Sequence, residues 1–85
     1  MGILIHATTD AATSPEFRVV EASLGILFVG LAGAEQGFVE VKISDGTFVS
    51  VRAVSSAEPD TTIIVNGTYR VRKAATAGAV SAQSV

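Results

Sequence analysis

In residues 63–85, IIVNGTYRVRKAATAGAVSAQSV, two apolar segments of β type flank the pair Asn66-Gly67, and a last alternating strand follows. Both residues of that pair tolerate positive φ, so Asn-Gly between alternating segments predicts a hairpin with a two-residue turn. Such a turn would place Ile64 opposite Tyr69. The whole stretch therefore predicts β structure up to residue 85.

The segment 39–51 contains a second predicted hairpin. A three-residue loop at 44–46, ending in a left-handed glycine, would pair Val41 with Val49 and Val39 with Val51. A two-residue Asp-Gly loop would instead set apolar opposite polar side chains. Because strand register follows the apolar face, the three-residue loop is favoured. Phe38 and Phe48 then lie on the opposite, polar face as candidate exposed aromatics.

Period-2 alternation recurs along the chain, and no helical period persists over ten residues. Further short strands are predicted at 3–6, 17–21 and 26–29, with a polar loop or arm at 8–15 and a polar turn at 55–60. The sequence therefore predicts one domain, residues 1–85, that is all-β: a small antiparallel β-sandwich or barrel of about seven or eight short strands.

The high apolar and low charged content of the sequence indicates that part of the protein surface contacts a partner. Of the 85 residues 48% are hydrophobic and only 16% are charged, against roughly a quarter charged in average chains. The net charge of −2 argues against a specific nucleic-acid partner, and the longest apolar run, 24–31, is too short to cross a membrane. No signal peptide is recognisable, so we expect synthesis in the cytoplasm.

Residues for catalysis are not grouped in this sequence. His6 is the only histidine, cysteine is absent, the carboxylates are scattered and no phosphate-binding glycine motif occurs. We therefore expect no enzymatic activity, no cofactor and no metal site. A small enzyme would need a set of catalytic side chains placed together, and we cannot assign such a set in this sequence.

Positive charge is concentrated at Arg70, Arg72 and Lys73. The cluster is either a solvated strand face, with Lys73 at an edge, or an ion-pair patch for an acidic neighbouring subunit. Tyr69 beside it has an apolar ring with a polar tip, which is common at interfaces. The interface candidates are Phe38, Phe48, Tyr69, Arg70 and Arg72.

Three segments carry a family resemblance: VEVKISDGTF at 39–48, VNGTYRV at 65–71 and KAATAGAV at 73–80. Together they resemble small structural proteins of tailed bacteriophages. The resemblance implies a non-enzymatic β-sandwich component of the virion, foremost a capsid decoration (cement) protein that bridges neighbouring shell subunits. It also implies a major capsid or other virion protein as partner, and a homo-oligomer, either a dimer or a trimer.

Two alternatives remain. A tail or head–tail connector subunit would have the same general character. A carbohydrate- or ligand-binding β-sandwich module would display exposed aromatics, often tryptophan, and this chain has no tryptophan.

Overall fold

The computed structural model describes residues 2–21 and 23–85, and no residue in these ranges lies in a helix. The strands are β1 (Gly2–Thr8), β2 (Ala12–Thr13), β3 (Phe17–Val19), β4 (Leu24–Val29), β5 (Gln36–Lys42), β6 (Phe48–Ser55), β7 (Asp60–Ile63), β8 (Gly67–Lys73) and β9 (Val80–Ser84). The predicted all-β class is confirmed.

Two antiparallel sheets pack together as a small sandwich. The four-stranded sheet has the order β1-β9-β4-β7, and the five-stranded sheet has the order β2-β8-β5-β6, with β3 also paired to β8. Strands that are distant along the chain thus lie side by side, as β1 and β9 do. The predicted strands at 3–6, 17–21 and 26–29 correspond to β1, β3 and β4.

The core lies between the sheets and is formed by one face of each strand. In β8, Tyr69 and Val71 are buried, and the alternate residues Arg70 and Arg72 point to the outer face. Phe28 of β4 packs over Gly37, where a Cβ would lie 2.5 Å from two atoms of the ring. The buried apolar residues are Ile5, Val19, Ile26, Phe28, Val39, Val54, Ile63, Tyr69, Val71, Val80 and Ala82.

The hairpin of β5 and β6 has the predicted loop at 44–46. Gly46 is left-handed, with φ of 89°, and Val41 pairs with Val49. The predicted pairing of Val39 with Val51 is wrong, because a β-bulge between the two pairs adds one residue to β6. Val39 therefore lies opposite Arg52.

The predicted Asn66-Gly67 hairpin is wrong. Strand β7 pairs with β4 in one sheet, and β8 pairs with β5 in the other, so the chain crosses between sheets at residues 64–66. Burial of Ile63 in the core holds the end of β7 in the first sheet. The amide oxygen of Asn66 accepts a hydrogen bond from the backbone N–H of Glu21 at 2.7 Å, which anchors the crossing.

The segment 8–15, predicted to be a loop or arm, includes β2 and is bound to β8. Ser14 exchanges hydrogen bonds with the backbone of Val71, accepting its N–H at 2.9 Å and donating its own N–H at 2.8 Å. One of the two interpretations of the basic cluster places Lys73 at a solvated edge, but Lys73 is 1% exposed. Its ammonium donates to the carbonyls of Thr8 and Asp10 at 3.1 and 2.6 Å, so it fastens the β1–β2 connection to β8.

Candidate binding face around Glu40

Five side chains form a row across the outer face of the five-stranded sheet. We name the set Phe48, Arg70, Glu40, Arg72 and Phe38 the arginine–phenylalanine row. Strand register creates it, because Glu40 of β5 lies opposite Arg70 of β8 and Phe38 lies opposite Arg72. Side chains that are directly opposite on one face are close enough to interact.

Two arginines bind one carboxylate at the centre of the row. Nε of Arg70 donates to Oε1 of Glu40 at 2.7 Å, and Nε of Arg72 donates to Oε2 at 2.9 Å. The hydroxyl of Ser50 donates to Oε2 at 3.4 Å. The carboxylate side chain is 7% exposed and the arginines are 33% and 39% exposed. The arginines thus cover Glu40 and keep part of their own surface in water.

Each guanidinium also packs on an aromatic ring. The guanidinium carbon of Arg70 lies 4.1 Å from the centroid of Phe48, and that of Arg72 lies 4.7 Å from the centroid of Phe38. These distances fit cation–π contacts. Each guanidinium thus contacts a ring and the carboxylate at the same time, and both contacts favour the arrangement that the row presents.

The pKa of Glu40 is below its ordinary value. Burial raises it, but the hydrogen bonds and the positive charges of Arg70 and Arg72 lower it by more. The carboxylate therefore stays ionised at neutral pH. With two cations and one anion, the row carries a net positive charge on a protein whose net charge is −2.

Four of the five interface candidates lie in this row: Phe38, Phe48, Arg70 and Arg72. Tyr69 does not join them, because the alternation that turns the arginines outward turns Tyr69 inward. Its side chain stacks on Phe17, with centroids 6.3 Å apart, and its hydroxyl donates to the carbonyl of Val65 at 2.7 Å. Tyr69 is 4% exposed, so its side chain is not part of the surface that the row presents.

Glu40 is the member of the row that sequence reasoning missed. Alternation placed it on the polar face of its strand, but its partners are 30 and 32 residues away. The available signal was one acidic residue on a strand of alternating residues and two basic residues on another. That signal identifies a pair only when the two strands are known to be neighbours.

Within residues 2–21 and 23–85, no group of three or more His, Cys, Asp or Glu side chains is placed to hold a metal ion. In the same ranges no helix is long and apolar enough to cross a membrane.

Comparison with protein-family models, with curated proteins and with solved structures finds no match to this chain. These comparisons do not link the chain to phage structural proteins, so that expectation rests only on the three sequence segments named above.

Proposed function

We propose that the chain is a non-enzymatic structural subunit that docks onto a neighbouring subunit, in the free protein a second copy of itself, through the arginine–phenylalanine row. The supporting observation is the row itself: four partly exposed interface-type side chains held in one arrangement around a buried carboxylate. Arginine and aromatic residues are enriched where protein interfaces gain most of their binding energy. Contacts that already hold these side chains before docking lessen the side-chain entropy that docking costs.

The specific form that we propose is a capsid decoration protein of a tailed bacteriophage, located in the virion. Its support is the sequence resemblance together with a row suited to an acidic surface. The proposed partner is the major capsid protein or another virion protein, and the proposed free state is a dimer or trimer. A shell repeats the same contact many times, so a small row on each subunit suffices. A tail or head–tail connector subunit could dock through the same row.

A carbohydrate-binding module receives no support from the row. Sugars stack on open aromatic faces, but Phe38 and Phe48 each have one face covered by a guanidinium. We therefore do not propose this alternative.

The proposal is tested by measuring molar mass with light scattering across protein concentration. We expect a multiple of the 8.7 kDa chain mass. The double variant F38S/F48S removes both rings and keeps the ion pairs, so it should shift the protein to monomer. Replacing the arginines would be less informative, because it would also leave Glu40 without its partners.

The matched control is I3S/V29S, which removes two apolar side chains that are 60% and 49% exposed and belong to the other sheet. Its mass should equal that of the unmodified chain. A monomer at every concentration, or an oligomer that F38S/F48S leaves intact, would contradict self-association through the row.

A further inference from the structure

A groove opens between the edge strands of the two sheets, and we name it the β6–β7 groove. It has a volume of about 340 Å³, and no member of the arginine–phenylalanine row lines it. In the described part of the chain, β6 pairs only with β5 and β7 only with β4. The residues that line it are Val41, Val51, Arg52, Thr62, Ile63, Ile64, Val65, Asn66 and Tyr69.

Strands β6 and β7 meet at the turn that joins them, and they belong to different sheets and are not paired with each other. The backbone N–H of Ser55 donates to the carbonyl of Glu58 at the turn that joins them. Beside this turn Val54 is 2% exposed, whereas farther along Val51 is 47% and Val65 66% exposed. The apolar inner surface is therefore covered at the turn and open at the far end.

The β-bulge gives the groove its one charged side chain. A regular strand would turn Val51 and Arg52 to opposite faces, but both line the groove. The bulge, which adds one residue at this point of β6, accounts for this. Among residues 2–21 and 23–85, Arg52 takes part in none of the three ion pairs. An apolar groove thus has an uncompensated guanidinium on its wall.

Strand β6 also has a free edge beside the groove. It is eight residues long, contains no proline or lysine, and pairs on one side only. A bulge and a charged side chain are among the features that protect an edge, and β6 has both, but its unpaired edge still offers backbone N–H and C=O groups to a further strand. A peptide that pairs there can place alternate side chains into the groove.

We propose that the β6–β7 groove binds an extended segment of a partner protein, which pairs with the free edge of β6. An apolar side chain of that segment occupies the space between Val51 and Val65, and a neighbouring carboxylate pairs with Arg52. Charge complementarity favours this occupant over a second copy of the chain. A symmetric contact between two grooves would bring their Arg52 residues together, and the lining contains no carboxylate to compensate.

The experiment is a selection of random nonapeptides, displayed on a carrier, against the full chain. Peptides enriched on the unmodified protein should carry Asp or Glu within two residues of a branched apolar or aromatic residue. On the charge-reversed variant R52E the enriched peptides should carry Lys or Arg instead. A peptide selected on the unmodified chain should bind R52E about tenfold or more weakly, as expected for loss of a charge-assisted hydrogen bond.

Two further variants locate the binding. I64S/V65S removes two side chains that are 74% and 66% exposed, so it should fold and lose the enrichment. R18E reverses the charge of an exposed arginine outside the lining, and it should keep the preference for acidic peptides. Thermal unfolding of each variant verifies that it is folded.

The proposal is overturned if no peptide is enriched, or if R52E selects the same peptides as the unmodified chain. It is also overturned if light scattering shows an oligomer that I64S/V65S converts to monomer, because the occupant is then a second copy. An oligomer that F38S/F48S dissociates and I64S/V65S does not is held together by the arginine–phenylalanine row. The peptide selection then decides the groove proposal.

Discussion

Glu40 projects from the outer face of its sheet and is nevertheless only 5% exposed. Its burial comes from side chains that cover it, since Arg70 and Arg72 both bind its carboxylate. The free energy of this arrangement depends on charge, because an amide at position 40 would keep one acceptor oxygen but would turn an NH₂ group toward the second arginine and remove the negative charge.

Replacing Glu40 by glutamine should lower the free energy of unfolding by about 2 kcal/mol at neutral pH, the scale of charge-assisted hydrogen bonds. The folded-state pKa of Glu40 is lowered from 4.5. The ionised carboxylate of Glu40 therefore contributes its full stabilisation above pH 4.5, the ordinary pKa. This stabilisation is lost as the pH falls through the lower folded-state pKa. Urea unfolding of both proteins from neutral pH down to pH 3 should show the difference shrinking below about pH 4.5.

The control for this prediction is E58Q, at an exposed turn carboxylate that forms none of the ion pairs in the described part of the chain. It should change the free energy of unfolding by no more than about 0.5 kcal/mol. A difference between E40Q and the unmodified chain that stays constant over the pH range would show that ionisation of Glu40 contributes no stability.

Among the strands, β8 connects more elements than any other described strand. It pairs with β2, β3 and β5, and its last residue, Lys73, reaches across to the carbonyls of Thr8 and Asp10. An ammonium group is rarely buried unless its donors are satisfied. Lys73 therefore links the position of the β1–β2 connection to that of β8.

Replacing Lys73 by methionine keeps the aliphatic stem and removes both hydrogen bonds. We expect a loss of about 1–3 kcal/mol in the free energy of unfolding, measured by urea unfolding. Hydrogen exchange of the Ser14 amide, which donates to Val71, should become faster. An unchanged exchange rate would mean that Lys73 does not hold this segment.

The matched control is K42M. Lys42 pairs with Glu16 at 3.5 Å, but their side chains are 40% and 51% exposed. Surface pairs of this kind contribute from nothing to about 1 kcal/mol, so K42M should cost less than K73M and leave Ser14 exchange unchanged.

For the strands, the sequence predicted correctly those features that depend on residues close together in the chain. It failed where two strands distant in the chain pair with each other. The loop at 44–46 followed from residues that are close together in the chain, and so did the alternation that turns Arg70 and Arg72 outward. The Asn66-Gly67 hairpin failed because burial of Ile63 beside β4 outweighs the local preference for a turn. The bulge in β6 and the pairing of Glu40 with β8 depend on neighbours that no short window of sequence contains.

In the whole molecule, β1 and β9 are neighbours although they are far apart in the chain. Gly2 pairs with Ser84, and the backbone N–H of Gly2 donates to the hydroxyl of Ser84 at 2.8 Å. Residues near the two ends of the sequence therefore lie side by side, and a short linker can join them without moving either strand.

A circular permutant with residues 85 and 1 joined by a short Gly-Ser linker should fold when its new ends lie between Asp45 and Gly46. That position is the exposed tip of the β5–β6 hairpin, where a break removes no core contact. Thermal unfolding should remain cooperative, with a midpoint near that of the parent.

The comparison permutant opens the chain between Val71 and Arg72, inside β8. It should not unfold cooperatively, because the break interrupts a strand that pairs on both sides. If both permutants behaved alike, the continuity of β8 would not matter for the stability of the sandwich.

The order β1-β9-β4-β7 has a consequence for biosynthesis. Strand β9 lies between β1 and β4, so its sheet has a gap at the centre until residues 80–84 leave the ribosome. Translation adds about 5–20 residues per second. Until β9 is made, the β1 and β4 segments lack the strand that pairs with both of them, and their apolar side chains are exposed to water. The nascent chain thus passes several seconds in a state where chaperones can bind it, and the sandwich closes in a late step.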